Sequence, residues 1–349
     1  MTTPKVSVLV PTYNYARYLP EAIESVLAQD LRDFEILISD DGSTDGSAEV
    51  IARYAAKDRR IRFHVHPVNL GMVQNWNWCL SEARGEFVKF VFGDDMLASP
   101  QALTKLLELL ESSASAVLAA SARYVVDENS GVIAIWDDFG RPGAHRGTDV
   151  IAACLNEDRN LIGEPSVVLF RRQDATRGFN LQYRQIVDQE MWFHLLEKGE
   201  LAFTSEPLCC FRKHATQQTE VNAVSQIGLL EAMRLFAEHY SKPYLQSKGF
   251  RKRGFDRIYQ LRKRRKANPQ VTEEMLAIEQ ELSAKMTASW YAAHWLRRRL
   301  TRPFQNLGRW IERKRHRSAP VSSLHKASPQ SQAATRRLRP QRPTKIEYR

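Results

Sequence analysis

Phe87-Val88-Lys89-Phe90-Val91-Phe92-Gly93-Asp94-Asp95-Met96 decides how this chain is read. An apolar run of strand length stops abruptly at a glycine and two adjacent carboxylates. In an open α/β sheet, ligands bind in the crevice outside the carboxyl ends of the strands. Two neighbouring carboxylates there repel each other unless a cation or a hydroxyl-rich ligand offsets them. Hard oxygen ligands suit Mg²⁺ or Mn²⁺, and Mg²⁺ is commonly held by one or two carboxylates plus substrate phosphates. The plain alternative is a strand followed by an acidic turn.

The residues before this stretch repeat its pattern. Lys5 to Val10 is a buried strand by its β-branched, apolar content, and Pro11-Thr12-Tyr13-Asn14 ends it. Tyr18 to Gln29 is helical, with Leu19, Ile23, Val26 and Leu27 on one face and Pro20 near its start. Phe34 to Ser39 is a second strand, stopped by Asp40-Asp41-Gly42-Ser43-Thr44-Asp45. Ser47 to Ala56 is a helix, Ile61 to Val65 a third strand, and Val73 to Ala83 a helix after the Asn69-Leu70-Gly71 turn. Strands alternating with helices of this length predict βαβ units and a doubly wound, mostly parallel α/β sheet. Thr12-Tyr13-Asn14, Asp40-Asp41 and Asp94-Asp95 then end parallel strands and face one edge. The chain has no G-x-G-x-x-G and no G-x-x-x-x-G-K-[ST], so dinucleotide-dehydrogenase and P-loop readings lose their main support.

Beyond the central stretch, residues 99–111 are helical and Ala116 to Val126 is a strand, while Asp127 to Asp149 is turn-rich and reads as irregular surface. Val167 to Phe170 is a short strand opened by Gly163-Glu164-Pro165-Ser166. A helix with an acidic first turn begins at Val187-Asp188-Gln189-Glu190. Strands at 201–203 and 208–211 precede Arg212-Lys213-His214. Asp188 is either a helix cap or a reactive acid, and Glu190 competes with it. His64 and His66 read as solvated, and Trp76, Trp78 and Trp192 as core.

These pieces, in this order, resemble the family 2 glycosyltransferases, inverting enzymes of GT-A fold with a Rossmann-like nucleotide-binding half. The matching pieces are residues 8–14, 38–45, 69–71, 93–95, 188–192 and 212–214, so the resemblance covers residues 5 to 220. It implies a nucleotide-diphosphate-sugar donor and Mg²⁺ or Mn²⁺. Tyr13 is expected to stack near the base, Asp41 to accept a hydrogen bond from it, and Pro11, Thr12 and Asn14 to line the same pocket. By the same resemblance Asp94 sits near the ribose, Asp95 ligates the metal, Asp188 is the general base, and Arg212 and His214 reach the diphosphate. Glu164 and Ser166 fall where the acceptor-side loop lies. Two positions depart from the usual pattern: Gly93 replaces the first acid of Asp-x-Asp, and Val187 stands where many relatives carry Glu. A base at a helix N-terminus is expected to have its charge stabilised, and its basicity lowered, by the helix dipole.

Composition frames the rest. The chain of 349 residues carries a formal charge of +11, but residues after 250 hold 26 Lys and Arg against 7 Asp and Glu. An acidic body therefore carries a basic C-terminal extension that calls for an anionic partner. Residues 225–240 and 271–300 have helical periodicity. Ser289 to Arg317 interleaves Trp290, Trp295, Leu300, Phe304 and Trp310 with arginines, as an interfacial membrane helix would. The domains expected are a catalytic 1–220, a helical basic 221–317 and a disordered tail 318–349. The four cysteines lack zinc-ligand spacing and read as reduced thiols. The start lacks a signal-peptide apolar region, and no run reaches membrane-span length, so a cytoplasmic protein peripheral to the inner face of the membrane is expected. A saccharide or lipid-linked acceptor fits that setting. A nucleotidyltransferase of similar fold would carry a Gly-rich loop with a basic residue after Val10, which is absent. A nucleic-acid-binding protein acting through its tail is the remaining rival.

Overall fold

The computed structural model describes residues 3–215, 217, 227–267, 273–286, 292–293 and 295–296. Most of the aromatic-and-arginine stretch from Ser289 to Arg317, and the whole tail from 318, lie outside the described residues. The chain divides into two compact units, with the boundary between Phe236 and Ala237.

The first unit is built on a parallel core. β1 (Val6–Thr12) lies between β2 (Phe34–Asp40) and β4 (Phe87–Phe90), and β3 (Ile61–Val65) pairs with β2, all parallel. Every residue of β1 and β2 is buried, which explains their near-continuous apolar sequences. The crossovers are α1 (Leu19–Leu27), α2 (Ser47–Ala55) and α3 (Met72–Glu82). Register places Thr12 opposite Asp40 and Leu9 opposite Phe90, so the polar clusters after β1, β2 and β4 share one edge.

Beyond β4 the pairing changes. After β5 (Met96–Leu97) and α4 (Ala102–Glu111) come β6 (Ala116–Val126), β7 (Val132–Trp136) and β8 (Gly143–Arg146). α5 (Gly147–Glu157), β9 (Val168–Arg171), α6 (Val187–Leu196) and β10 (Glu200–Arg212) follow. β9 inserts antiparallel between β4 and β6, and the sheet order is β3-β2-β1-β4-β9-β6-β10-β5. The region expected to be irregular, Asp127 to Asp149, instead contains β7 and β8, paired antiparallel with β6 and β10, and the start of α5. Asp127 starts the β6–β7 turn, its Oδ1 accepting from the amides of Asn129 and Gly131, both at 2.9 Å.

α7 (Ile227–His239) begins in the first unit. In the second unit, α8 (Lys248–Ala267) and α9 (Glu273–Ala284) bury Phe250, Phe255, Ile258, Leu261, Ile278 and Leu282. Arg262 Nε donates to Glu279 at 2.6 Å. No helix among the described residues is long and apolar enough to cross a membrane.

Candidate active site

The edge begins at the end of β1. Asp41 N donates to Thr12 O at 3.0 Å, which joins the first two polar clusters. The Asp41 carboxylate accepts from the amides of Leu70 and Gly71 at 2.7 and 3.0 Å, so the Asn69-Leu70-Gly71 turn wraps around it. Tyr13 is 46% exposed at this edge. Asn14 takes a left-handed conformation (φ 57°), which Asn tolerates better than most residues. Its amide donates to Ser43 Oγ at 2.8 Å, and its Oδ1 accepts from Thr44 N at 2.9 Å. Asn14 thus ties two loops together. Asp45, not expected as a site residue, does the same through Ala16 N at 2.9 Å and Ser47 Oγ at 2.6 Å. Pro11 is buried opposite Ser39 and serves the strand end.

Gly93 has a steric reason. A Cβ there would lie 2.6 Å from Thr12 Oγ1 and 3.0 Å from Thr12 Cβ. The close approach of the Gly93-Asp94-Asp95 turn to β1 therefore excludes the acid that the more common Asp-x-Asp pattern places at this position.

Arg212 is placed differently from expectation. Arg212 is 1% exposed and its guanidinium is consumed inside the protein. Its Nε donates to Asp94 O at 2.8 Å, and its other nitrogens donate to Asp127 O, Ser130 Oγ and Glu21 Oε2 at 3.1, 2.9 and 2.6 Å. It does not present to a diphosphate. Its backbone amide donates to Asp95 Oδ1 at 3.0 Å, so β10 braces the acidic turn from behind. His214 Nε2 lies 3.0 Å from Asp94 Oδ2, and its ring packs on Tyr15 and Tyr18. Burial, then the charges of Asp94 and Asp95, push the Tyr15 hydroxyl far above its ordinary value. An open cavity of ≈ 420 Å³ is lined, among the described residues, by Lys213, His214, Ala215 and Gln217. That volume is within the range of small-molecule sites.

Three buried oxygens at this edge have no hydrogen-bond partner among the described residues: Thr12 Oγ1, Asp40 Oδ2 and Asp95 Oδ2. Such groups are rare and costly unless a ligand completes them. Burial first, and the Asp94 charge second, hold the Asp95 carboxyl well above the usual carboxylate range. Among the described residues no three acids, histidines or cysteines gather around one point. The edge thus fits a hard cation bound through Asp95, with its remaining ligands supplied by phosphate and water. Ser166, expected at the acceptor, is instead buried behind the turn, where its Oγ accepts from Phe92 N at 3.2 Å. The buried Lys89 ammonium donates to Ser166 O, and the cost of its burial lowers its pKa.

Asp188 sits in the first turn of α6 without capping it, the N-cap being Ile186. Its Oδ1 accepts from Gln189 N at 2.8 Å and its Oδ2 from Asn160 Nδ2 at 3.1 Å. It is partly exposed at the surface yet enclosed on most sides. That desolvation, with the Glu164 charge adding to it, pushes its carboxyl up to about 7. The amide hydrogen bonds of the helix's first turn pull the carboxyl down, as the helix position implies, but the desolvation is the larger influence. Glu164 pairs with the buried Arg123 at 2.7 Å and raises both Asp188 and Asp95, so the three acids lie within electrostatic reach. Glu190 is not a rival, because Arg177 holds it at 2.7 and 2.8 Å in a two-pronged ion pair.

Trp76 and Trp192 are core residues, and Trp78 is half-buried against His64 and His66. His66 is buried rather than solvated, with its Nε2 3.0 Å from Ser39 Oγ, which also donates to Asn75. All four cysteines are buried and free.

A parallel α/β half with an acidic, partly unsatisfied carboxyl edge, followed by a helix-borne acid, defines a GT-A type of transferase. The family model described as glycosyl transferase family 2 matches residues 7–157. The putative glycosyltransferase EpsE of Bacillus subtilis (strain 168) is 32% identical over 204 residues, covering 56% of this chain and 68% of its own. An uncharacterised protein, MT1568, of Mycobacterium tuberculosis (strain CDC 1551 / Oshkosh) is 31% identical over 246 residues, covering 66% and 74%. Among solved structures, S. aureus TarS 1-349 in complex with UDP-GlcNAc aligns with a TM-score of 0.56 at 22% identity, over 68% of this chain and 67% of that one. The mannosyltransferase PcManGT from Pyrobaculum calidifontis, in complex with GDP-Man and Mn²⁺, aligns with 0.50 at 17% identity, over 88% and 84%. The chain belongs to glycosyltransferase family 2.

Proposed function

We propose that this glycosyltransferase is an inverting, metal-using enzyme. It moves a hexose-type sugar from a nucleotide diphosphate to a hydroxyl of a saccharide or lipid-linked acceptor, in the assembly of bacterial surface polysaccharide or glycolipid. The observation that carries the reading is the pair of acids that both feel the charge of Glu164: Asp95, with a buried oxygen lacking a partner among the described residues, and Asp188, whose carboxyl is pushed up to about 7. Support for a nucleotide-linked donor comes from the ligands of TarS and the mannosyltransferase PcManGT.

In this reading Tyr13 and Asp41 receive the base, with Thr12 and Asn14 at the pocket wall. Asp94, held by His214, faces the ribose. Asp95 holds Mg²⁺ or Mn²⁺, which when bound neutralises charge growing on the departing diphosphate. Asp188 takes the proton of the attacking hydroxyl. A carboxyl near neutrality is a better proton acceptor than an ordinary carboxylate, and deprotonated at working pH it meets both requirements of a general base. Glu164, fixed by Arg123, stands beside Asp188 where an acceptor hydroxyl would arrive. We further assign the catalytic domain to residues 1–220. The basic 221–317 and the tail 318–349 serve as a docking element for an anionic membrane surface, with no nucleic acid involved.

A panel of UDP- and GDP-sugars, assayed for metal-dependent hydrolysis and binding, tests the donor and cofactor assignments together. Turnover of one nucleotide sugar with Mg²⁺ or Mn²⁺, lost on chelation, is expected; metal-independent turnover would overturn the cofactor assignment. Deleting residues 286–349 should release the protein from anionic vesicles, and unaltered flotation would contradict the membrane assignment.

A further inference from the structure

α7 carries a buried acid that the catalytic reading leaves without a role. Glu231 is 4% exposed. Its Oε1 accepts from Arg184 N at 2.7 Å, and its Oε2 from Gln185 N at 2.8 Å and Ile186 N at 3.0 Å. Three consecutive amides thus converge on one carboxylate, a backbone concavity of the kind that binds anions. The last of them belongs to the N-cap of α6, two residues before Asp188. The grip is not confined to Glu231. Arg234 Nη1 donates to Gln182 O at 3.1 Å, and its guanidinium lies 5.9 Å from the buried Tyr183 ring. Gly228 packs so near that a Cβ there would meet Gln185 Cγ at 3.0 Å.

Without Glu231, three amides on the approach to α6 would lack their partner, and 182–186 would lose its main anchor. With it, a negative charge already occupies the N-terminal approach of the helix. The positive end of the dipole is answered by Glu231 and is less available to stabilise the charge of Asp188. We infer that Glu231 is a positioning residue for the general base: it fixes the lead-in to α6 and keeps Asp188 a strong proton acceptor. The inference rests on Asp188 being the base.

Glu164 also raises the Asp188 carboxyl, but none of the other groups around Asp188 holds the backbone that leads into α6. On the 158–164 loop, Glu164 is a like charge tied to Arg123, Asn160 is neutral, and Arg159 is paired with Asp138. Asp138 follows β7 and also receives Arg123. On α6 itself, Glu190 is paired with Arg177.

The test uses the full chain and whichever of UDP-glucose, UDP-N-acetylglucosamine and GDP-mannose the wild type turns over. Glu231→Gln keeps an acceptor but removes the charge. A loss of about 10-fold or more in kcat is expected, with the nucleotide-sugar KM within about 2-fold, because small misplacements of a reacting group cost this much. The acidic limb of the pH–rate profile should move to lower pH. An unchanged kcat and limb would overturn the inference. So would a loss that only tracks the folded fraction with the limb in place. Should the Gln variant not fold, Glu231→Asp, one methylene shorter, must show the same changes in smaller measure; a native profile there overturns it. Asp188→Asn separates the two levels. If it transfers sugar normally, the base assignment fails; if it is inactive while Glu231→Gln is native, only the present inference fails.

Discussion

Asp94 and Asp95 stand on a turn braced by Arg212 from a distant strand and by His214, whereas Asp188 stands on a helix where its hydrogen-bond partners are neutral. Behind the first pair lie Arg212, His214 and, through Ser166, Lys89. Among the described residues, Asp188 is held by the Gln189 amide and the Asn160 carboxamide, with Glu164 as a like charge. A braced acidic turn can hold a cation in fixed geometry. A desolvated acid without a basic partner can bind and release a proton near neutral pH. Glu190, only two residues from Asp188, is instead fixed in an ion pair with Arg177.

The largest effect that sharpens this contrast belongs to Asp188→Asn. Transfer should fall by about 10²–10⁴-fold, the usual contribution of a general base, with nucleotide-sugar binding nearly intact by calorimetry. Asp95→Ala comes next: metal should no longer strengthen nucleotide binding, and an unchanged metal titration would remove Asp95 as the ligand. Glu190→Gln should cost stability rather than chemistry. A loss of about 1 kcal/mol in denaturant unfolding is expected, given that Arg177 is partly exposed, with kcat within a few-fold. Gly93→Asp should not restore a stronger metal site. Its Cβ would collide with Thr12, and a loss of about 1–3 kcal/mol with no gain in metal affinity is expected. The stability of Asp188 itself has a sign that can be checked. Its folded-state pKa lies above the unfolded value of 3.8, so the native state binds the extra proton and loses stability as pH rises from about 4 to about 7. Asp188→Asn should therefore be more stabilising, relative to wild type, at pH 8 than at pH 4.

Much of the parallel half was legible because its information is local. Each strand from Val6 to Phe90 is a short apolar run that ends in its own polar cluster, and each crossover carries its own apolar face. Where partners come from far along the chain, the reading was incomplete. Nothing near Val168 announces that β9 enters between β4 and β6, and the exposed alternation of β7 is masked by the Asp, Gly and Pro that surround it. The residue types of the site were legible for the same local reason, but their assignments depended on surroundings. Arg212 looks like a phosphate ligand in sequence, yet the contacts of Glu21, Ser130 and Asp127 bury it. The basicity of Asp188 could not be read from its place in a helix, because enclosure by Asn160 and its neighbours arises only on folding. Glu231 gave no signal at all, being one acid in an amphipathic helix.

The pH dependence of kcat/KM for sugar transfer tests the central claim most directly, since it reports ionisations of the free enzyme. A rise in activity with a midpoint at about 7, abolished with the activity in Asp188→Asn, is the expected result. A midpoint near 4, where an ordinary solvated carboxylate titrates, would contradict it.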